Sequence, residues 1–437
     1  SMDIKIQVTN PTRRSVTVTI PAATVAASEK EVIKGFTREA ALPGFRPGKA
    51  PEAVVRQKYA KNIADEISQR LLAQGYDRIK EEKSFTVYTL ADVQKDEATQ
   101  GADVVIRYEV DVLPEFKTPD WQSIKIAKEA VTVTDAEVAE HLQKLLQQRA
   151  RFEKTEAAAA KGDYVRLSYT GTVDGQAVKE VDAEAGPLGS SESSWEEAGS
   201  ESEVVAVPAI AKAIIGLKAG DTAQAEQAYG ADATREALRG KTVQYALTVS
   251  EVRCKEIPAV DEAFCKSVGV KDEADLRDQL RKGITGTKEQ AAETARREKA
   301  LDALITGLDL PLPQSAVDSV ANGLFNEYLQ LRIRNGTLKP EQFEAQREEI
   351  ITESRKAAET KVRAQVVLVR IAEENGIDLT REEFTQAILR EAYRTNVQPE
   401  KLAKDRNQLQ VLRRDAVLNK ALDLVLDGKA PEAVEKA

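Results

Sequence analysis

A short segment at residues 41–51, ALPGFRPGKAP, carries side chains suited to binding rather than to covalent chemistry. It offers one aromatic ring, Phe45, and two cations, Arg46 and Lys49, with no acidic residue beside them. The prolines and glycines pre-set the backbone, which lowers the ordering cost of docking. This combination predicts a stiff tip that inserts its ring into an apolar site while its cations meet phosphate groups. The alternative is a plain helix connector whose ring turns back into its own core.

Covalent catalysis and metal binding find little support elsewhere in the chain. His141 is the sole histidine, so a Ser-His-Asp triad, a Cys-His pair and a zinc cluster are not expected. The two cysteines, Cys254 and Cys265, are interpreted as spectators. GFRPGKA lacks the glycine spacing of a phosphate-binding loop, and RGKT lacks its leading glycine, so nucleotide hydrolysis is not indicated. We expect neither a metal nor a cofactor.

Composition limits the remaining possibilities. A chain of 437 residues predicts two to four domains. The net charge is −9, but the first 83 residues hold 15 Lys and Arg against 10 Asp and Glu, so they carry +5 and the remainder −14. Such a distribution indicates one anionic partner, met by the basic end alone. The few cysteines and the lack of a signal-peptide pattern predict a cytoplasmic location, and no apolar run suggests a membrane span.

The tip requires two helices to hold it. Apolar spacing predicts, in order, strands on either side of an Asn10-Pro11 turn, a helix over 22–40, a second long helix from Pro51 to about Lys83, and strands at 85–90 and 104–113. Together these elements predict an α+β domain over residues 1–114, with the tip at the end of a helical hairpin.

The rest of the chain divides into segments with different hydrophobic patterns and compositions. The patterns predict a linker and a helix at 115–160 that belong to a helical body; the helix covers 131–153 and has Phe152 on its apolar face. A small β-rich domain is predicted at 161–254, with a mobile polar loop within it at 184–203. Helices are predicted over 255–437. Turns are predicted at Gly336-Pro340, Asn375-Gly376 and Gln398-Pro399. The C-terminal helices have narrow apolar stripes, which indicates an extended helical array.

Several segments resemble a known family. GFRPGKAP at 44–51, between two helices of a basic domain, resembles the ribosome-docking signature of the bacterial trigger factor family. YVRLSYTGTVDG and VPAIAKAIIGLKAGD resemble the FKBP-type prolyl isomerase domain of that family, and the helical remainder resembles its arm-bearing domain. The resemblance implies a multidomain α+β fold with an α+β ribosome-binding N-terminal domain, an FKBP-like antiparallel β domain and an extended all-helical C-terminal domain.

The same resemblance implies the partners and the docking residues. The partners would be the large ribosomal subunit, through protein and RNA at the exit tunnel, and nascent or unfolded polypeptides. A homodimer of the free molecule is left open. The residues that would touch the ribosome are Gly44, Phe45, Arg46, Pro47, Gly48 and Lys49. Many family members carry lysine where this chain has Pro47, and Lys49 is the nearest cation that could replace it.

The isomerase-like segment departs from the family pattern. An FKBP-type site encloses a proline in an apolar aromatic pocket, yet no phenylalanine occurs between residues 157 and 256. The positions that match the family's pocket are Tyr169, Val178 (where a phenylalanine is expected), Val207, Pro208, Ile210 and Tyr229. These replacements predict that the fold is kept and the pocket eroded.

Three functions stay open at this point. The first is a chaperone that docks through the tip and shields emerging chains on its helices. The second is an active peptidyl-prolyl cis-trans isomerase whose flanking domains only recruit substrate. The third is a scaffold that does not touch ribosomes.

Overall fold

Two units make up the chain in the computed structural model, which describes residues 1–97 and 99–428. Residues 1–128 and the chain from residue 293 onward form the first unit, and residues 129–292 form the second. The N-terminal part is α+β, the middle part holds antiparallel strands and the C-terminal part is helical, which confirms the predicted fold class. The domain boundaries predicted at 114, 160 and 254 stay predictions.

The first unit begins with an antiparallel sheet covered by helices. Its elements are β1 (Asp3–Asn10), β2 (Arg13–Ile20), α1 (Ala22–Glu39), α2 (Glu52–Lys58), α3 (Ala60–Lys80), β3 (Val87–Lys95) and β4 (Val104–Val112). The strands pair in the order β1-β2-β4-β3. Leu71 and Ile79 of α3 pack against the apolar face of the central strands. Gly75 permits this close approach, because a Cβ there would lie 2.2 Å from the Tyr108 hydroxyl.

The prediction of one helix from Pro51 to Lys83 is wrong. The chain leaves helical geometry at Tyr59, with φ −113° and ψ 27°, and this break separates α2 from α3. Val55 before the break and Ile63 after it belong to one buried cluster with Val32 of α1. The prediction of a single helix thus fails at one residue, and the chain on either side of it contributes to the same small core.

The second unit is built on a six-stranded antiparallel sheet. Its elements are α4 (Asp135–Gln148), β5 (Arg151–Thr155), β6 (Tyr164–Val173), β7 (Gln176–Ala177), α5 (Val178–Val181), β8 (Ser190–Glu197), α6 (Pro208–Ala213), β9 (Thr222–Ala228), β10 (Thr242–Glu256), α7 (Glu262–Ser267) and the part of α8 (Glu273–Ile305) up to residue 292. The long strand β10 pairs with β5, β6 and β9, and β6 also pairs with β7 and β8. The sheet encloses one apolar core.

Two sequence predictions fail in this unit. The helix predicted over 131–153 ends at Gln148, and Phe152 lies on β5. The Phe152 and Tyr164 rings pack edge to face, with 4.5 Å between their centroids. The segment predicted as a mobile loop contains β8. Its serines and glutamates hide the strand from a hydrophobic pattern, but Trp195 pairs across to Arg166 and lies between two guanidinium groups.

Helices complete the first unit. After α8 they are α9 (Gln314–Arg334), α10 (Phe343–Glu374), α11 (Arg381–Thr395), α12 (Pro399–Ala403) and α13 (Arg406–Asp427). All three predicted turns between them are confirmed. Val317, Val362 and Val366 of the predicted apolar stripes are fully buried between helices. None of the helices in the described residues combines the length and the apolar character that crossing a membrane requires.

Candidate docking loop and isomerase-like pocket

The segment between α1 and α2 is a loop made of two consecutive turns. The Phe45 amide donates to the Leu42 carbonyl at 3.1 Å, and the Lys49 amide donates to the Arg46 carbonyl at 2.9 Å. Both turns need a left-handed residue, which Gly44 supplies at φ +88° and Gly48 at φ +79°. The loop backbone is therefore defined by its own hydrogen bonds, as the proline and glycine pattern predicted.

A small separate core braces the base of this loop. Leu42 and Ala50, at its two ends, are buried with Val32, Val55 and other apolar residues of α1, α2 and α3. The Gly48 amide also donates to the Ala40 carbonyl at 3.1 Å, which ties the end of the loop back to its start. The tip is thus held by both ends.

The side chains at the tip face outward. Phe45 is 42% exposed, and Gly44, Arg46, Pro47 and Lys49 are exposed as well. Within the described residues, neither Arg46 nor Lys49 has an ion-pair or side-chain hydrogen-bond partner. The structure therefore brings all six predicted docking positions together and leaves the ring and both charges accessible.

A neighbouring arginine shows the contrast. Arg56 on α2 donates to Glu29 at 3.2 Å and to Glu52 at 3.0 Å. These carboxylates raise the pKa of the Arg56 guanidinium, with the hydrogen bond to Glu52 as the largest cause. Arg56 is thus neutralised locally, whereas Arg46 and Lys49 at the tip have no such carboxylate partner among the described residues.

The six predicted pocket positions lie together in the second unit, and five of them belong to its apolar core or pack against it. Tyr169, Val178, Val207 and Ile210 are all buried in the core of the sheet domain, and Tyr229 packs against that core. Pro208 is exposed at the first turn of α6. The side chains that would enclose a substrate proline fill the interior of the domain instead.

Hydrogen bonds hold the aromatic rings of this core to the chain's own backbone. The Tyr169 hydroxyl donates to the Pro187 carbonyl at 2.6 Å, and the Tyr245 hydroxyl donates to the Leu188 carbonyl at 2.5 Å. Burial raises the pKa of Tyr169 to about 12, so its phenol stays protonated at neutral pH and acts as a donor. These phenols are therefore occupied by the turn at 186–188.

Sequence reasoning missed Tyr245. The residue is fully buried, and its ring packs edge-on against that of Tyr169, with 5.8 Å between centroids. Its position could have been inferred from β10, where Val243, Tyr245 and Leu247 occupy alternate positions and so share the inner face.

A cleft of about 150 Å³ lies beside α5. It is lined by Lys179, Asp182, Ala183, Ala185, Gly186, Gly189 and Ser190. None of the six predicted pocket residues lines it. Asp182 at its edge accepts two hydrogen bonds from Arg235, at 2.6 and 2.7 Å, and Arg235 lowers the pKa of that carboxyl. The lining consists of small and charged residues without an aromatic ring, unlike the apolar aromatic enclosure that isomerase chemistry needs.

The helical part of the first unit exposes apolar side chains on three helices. Leu331 and Ile333, near the end of α9, are 47% and 44% exposed. On α11, Leu389 and Tyr393 lie one turn apart, and Tyr393 is 93% exposed. Val411 of α13 is also exposed. Exposed large apolar residues of this kind are suited to shallow contacts with other polypeptides.

An exposed ring beside unpaired cations, a closed β domain and helices with exposed apolar ends define a multidomain binding protein that works through non-covalent contacts. A sequence model described as bacterial trigger factor protein matches residues 2–145, and one for the trigger factor C-terminus matches residues 274–427. The chain belongs to the trigger factor family, and its function is that of a ribosome-associated chaperone of this family. The resemblance read from the sequence is confirmed.

Relatives match over nearly the whole chain. The trigger factor of Opitutus terrae is 34% identical over 430 residues, which cover 97% of each chain. That of Koribacter versatilis is 31% identical over 432 residues, or 96% of this chain and 95% of the relative. A solved structure described as "Promiscuous Substrate Recognition in Folding and Assembly Activities of the Trigger Factor Chaperone" covers 97% of this chain and 99% of that one, at 21% identity and a TM-score of 0.42.

Proposed function

We propose that this chaperone docks on the large ribosomal subunit, beside the nascent-chain exit, through the tip at residues 44–49. The observation that carries the proposal is the exposed Phe45 ring next to Arg46 and Lys49, two cations without partners on a braced loop. Ribosomal RNA phosphates attract such cations, and a pocket on a ribosomal protein would accept the ring. Because the loop is already ordered, little entropy is lost on docking.

The energies indicate a moderate, reversible complex. Burying one aromatic ring contributes roughly 1.5 to 3 kcal/mol, whereas a micromolar dissociation constant corresponds to about 8 kcal/mol. The two cations and the adjoining helix ends must therefore supply the larger share. Charge contacts of this type weaken as salt rises, so docking should be salt-sensitive.

Clients are held on the exposed apolar residues of the helical part. The ends of the α9–α10 hairpin and of α11 each offer a few aliphatic or aromatic side chains among charges, as at Leu331 and Tyr393. Contacts spread over small apolar areas bind unfolded segments weakly enough to release them. The fully buried valines of the same helices are ordinary core and take no part.

The β domain at 161–254 acts as a spacer without isomerase activity. Four of its six predicted pocket residues are buried in the core, and the Tyr169 phenol is engaged by the turn at 186–188. A substrate proline would have to displace that turn. Around this spacer, residues 1–114 serve as the docking domain, residues 115–160 as a linker and helix of the helical body, and residues 255–437 as the chaperone domain. The site of action is the cytoplasm, and a homodimer of the free molecule stays a prediction.

Co-sedimentation with ribosomes tests the docking proposal. The double variant Phe45→Ala/Arg46→Ala removes the ring and one cation, and pelleting at physiological salt should be abolished. A matched control is Val54→Ala/Arg56→Ala, which removes an exposed apolar residue and an exposed arginine from the adjacent helix. The control should pellet like the unmodified chain.

Unchanged pelleting of the loop variant would refute docking through the tip. Equal loss in both double variants would also refute it, since the effect would then follow general charge or folding rather than the tip. Aggregation suppression of an unfolded client, measured without ribosomes, should be the same for both variants. Failure of the unmodified chain in both assays would support the scaffold function instead.

A further inference from the structure

A buried carboxylate joins the docking domain to the first helix of the α9–α10 hairpin. Asp111 of β4 is 1% exposed and accepts a hydrogen bond from Arg13 Nε at 2.6 Å. Its second oxygen accepts from the Ser315 backbone amide at 2.8 Å and from the Ser315 hydroxyl. Alternation along β4 places Asp111 on the face away from the helix-covered core, so it is the start of α9 that encloses it.

This arrangement caps α9 from outside its own segment. The first amides of a helix lack partners within the helix, and Pro313, at the cap position of α9, provides no side-chain hydrogen bond. Asp111 satisfies the Ser315 amide, and its negative charge complements the positive end of the helix dipole. The cap therefore comes from a strand residue that lies 204 positions earlier in the chain.

Three neighbouring strands of the sheet, β2, β4 and β3, contribute to the same joint. Arg13 of β2 and Thr89 of β3 are the register partners of Asp111 on its two sides. Because the Ser315 hydroxyl gives its proton to Asp111, the Thr89 hydroxyl donates to Ser315, at 2.9 Å. Thr12, in the turn before β2, donates to the Leu312 carbonyl at 3.3 Å. The base of α9 is thus held by a closed set of polar contacts.

An apolar layer lies beside these polar contacts. Tyr88 of β3 and Leu113, just after β4, pack in one buried cluster with Leu312, just before α9, and with Val317 and Val362 of α9 and α10. Apolar packing of this kind is non-directional, whereas the carboxylate prefers to accept hydrogen bonds near its lone-pair directions. The direction of α9 relative to the sheet is therefore specified by the polar contacts more than by the apolar ones.

We propose that Asp111 is a positioning residue that sets the direction of the α9–α10 hairpin relative to the domain that carries the docking loop. The inference rests on the proposed function and deepens it, since Asp111 would touch neither ribosome nor client and would act through α9. Leu331 lies about 24 Å along the helix from Ser315. A rotation of about 20° at the base would therefore move the exposed end of the hairpin by about 8 Å. Holding the base fixed keeps the client-binding end in one place whenever the tip is docked.

Hydrogen exchange of the full chain tests the joint directly. Asp111→Asn keeps the side-chain size and removes the charge and one acceptor oxygen. The control is Asp163→Asn, a buried carboxylate of the second unit that accepts backbone amides from Ala160 at 2.8 Å and Lys255 at 2.9 Å. In Asp111→Asn, amides of the first turn of α9 should exchange at least tenfold faster. In Asp163→Asn they should exchange as in the unmodified chain.

A ribosome experiment tests what the joint does. With ribosome-bound nascent chains and saturating chaperone, Asp111→Asn should pellet normally but protect the nascent chain from protease several-fold less well. Its suppression of aggregation in free solution should stay within twofold of that of the unmodified chain. General destabilisation of the protein would reduce this suppression as well, so the assay separates the two effects. The Asp163→Asn control should protect nascent chains normally.

Two results would overturn the proposal. One is unchanged exchange at the start of α9 in Asp111→Asn, or an equal increase in Asp163→Asn. The other is faster exchange with full protection of the nascent chain. An unmodified chain that fails to pellet would refute docking alone, because the exchange measurement needs no ribosome and still decides whether Asp111 holds α9.

Discussion

The hydroxyl of Tyr229 lies 2.8 Å from the hydroxyl of Tyr245, at the end of a hydrogen-bonded chain. Tyr245 donates to the Leu188 carbonyl, so the proton shared between the two phenols must come from Tyr229. Burial raises the pKa of both tyrosines above the ordinary value, which keeps them protonated across the neutral range. Tyr245 is therefore fixed as a donor to the turn at 186–188, and Tyr229 as a donor to Tyr245.

Removing the central member of this chain should destabilise the β domain. Tyr245→Phe leaves the Leu188 carbonyl and the Tyr229 hydroxyl without their partners, at a cost of about 1 to 3 kcal/mol. Urea unfolding can be followed through Trp195 fluorescence in a Trp121→Phe background, because the two are the only tryptophans of the chain. The urea concentration at the midpoint of unfolding should fall, and the slope of the unfolding free energy against urea concentration should not change.

Tyr164→Phe is the matched control. The Tyr164 hydroxyl has no hydrogen-bond partner among the described residues, and its ring contact with Phe152 does not need the hydroxyl. We expect a change of less than about 0.5 kcal/mol. An equal effect of the two substitutions would show that the phenol chain does not hold the turn.

Isomerase activity should be absent. In a refolding assay limited by prolyl isomerisation, a step of tens to hundreds of seconds when uncatalysed, the full chain should not accelerate the slow phase by more than about twofold. The reason is that Tyr169 and Ile210 are enclosed in the core. Strong acceleration that disappears in Tyr169→Phe or Ile210→Ala would contradict this and favour the isomerase function. A known prolyl isomerase run in parallel shows that the assay responds.

The docking loop could be predicted from sequence because its structure is local. Gly44 and Gly48 supply the left-handed residues that the two turns need, and Phe45, Arg46 and Lys49 have no competing apolar pattern around them. The same holds for the confirmed turns between the C-terminal helices. In each case a few adjacent residues determine the backbone.

The features that sequence reasoning missed depend on distant contacts. Asp111 reads as a polar residue on the outer face of β4, and its burial is caused by α9, far along the chain. Strand β8 carries serines and glutamates, so pairing with β6 rather than an apolar pattern makes it a strand. Neither of these is encoded within a short window.

The left-handed turn at Gly48 should be needed for docking. In Gly48→Ala, the new Cβ would lie 3.0 Å from the Arg38 carbonyl oxygen, at a φ of +79° that alanine rarely adopts. Forcing this conformation costs roughly 1 to 2 kcal/mol, which corresponds to ribosome affinity weaker by about five- to thirty-fold. Co-sedimentation titrations measure the loss.

Gly35→Ala in α1 provides the comparison for that titration. A Cβ at Gly35 meets nothing within 4 Å, and the helix gains about 1 kcal/mol from alanine. Affinity should be unchanged or slightly higher. If Gly48→Ala docks as tightly as Gly35→Ala, the loop conformation described here is not the one that binds.

The start of α11 should show a defined pH dependence. Glu383 accepts the Thr380 amide at 2.9 Å, which is the largest cause of its lowered pKa, and Lys420 donates to it at 2.9 Å. Because the folded-state pKa is depressed, Glu383 contributes stability above the ordinary value of 4.5, and that contribution is lost as pH falls through the folded-state pKa.

Thermal unfolding of the full chain and of Glu383→Gln at several pH values tests this sign. The difference in melting temperature between the two proteins should be present at pH 7 and shrink as the pH is lowered below 4.5. A difference that grows on acidification would contradict the assignment. Glu382→Gln, next in sequence and also in the first turn of α11, serves as a control for removing a nearby charge.

The ring and the cations of the tip should contribute to docking in separable ways. Arg46→Gln removes one phosphate contact, so the slope of log affinity against log salt should decrease in magnitude by about one. Phe45→Leu keeps an apolar side chain but loses ring area, so it should weaken binding at every salt concentration and leave the slope unchanged. Lys49→Gln should resemble Arg46→Gln if Lys49 takes the place of the lysine that many family members carry where this chain has Pro47. A full slope in Lys49→Gln would instead mean that Arg46 is the only phosphate contact of the tip, and a changed slope in Phe45→Leu would mean that the ring orients the cations rather than filling a pocket.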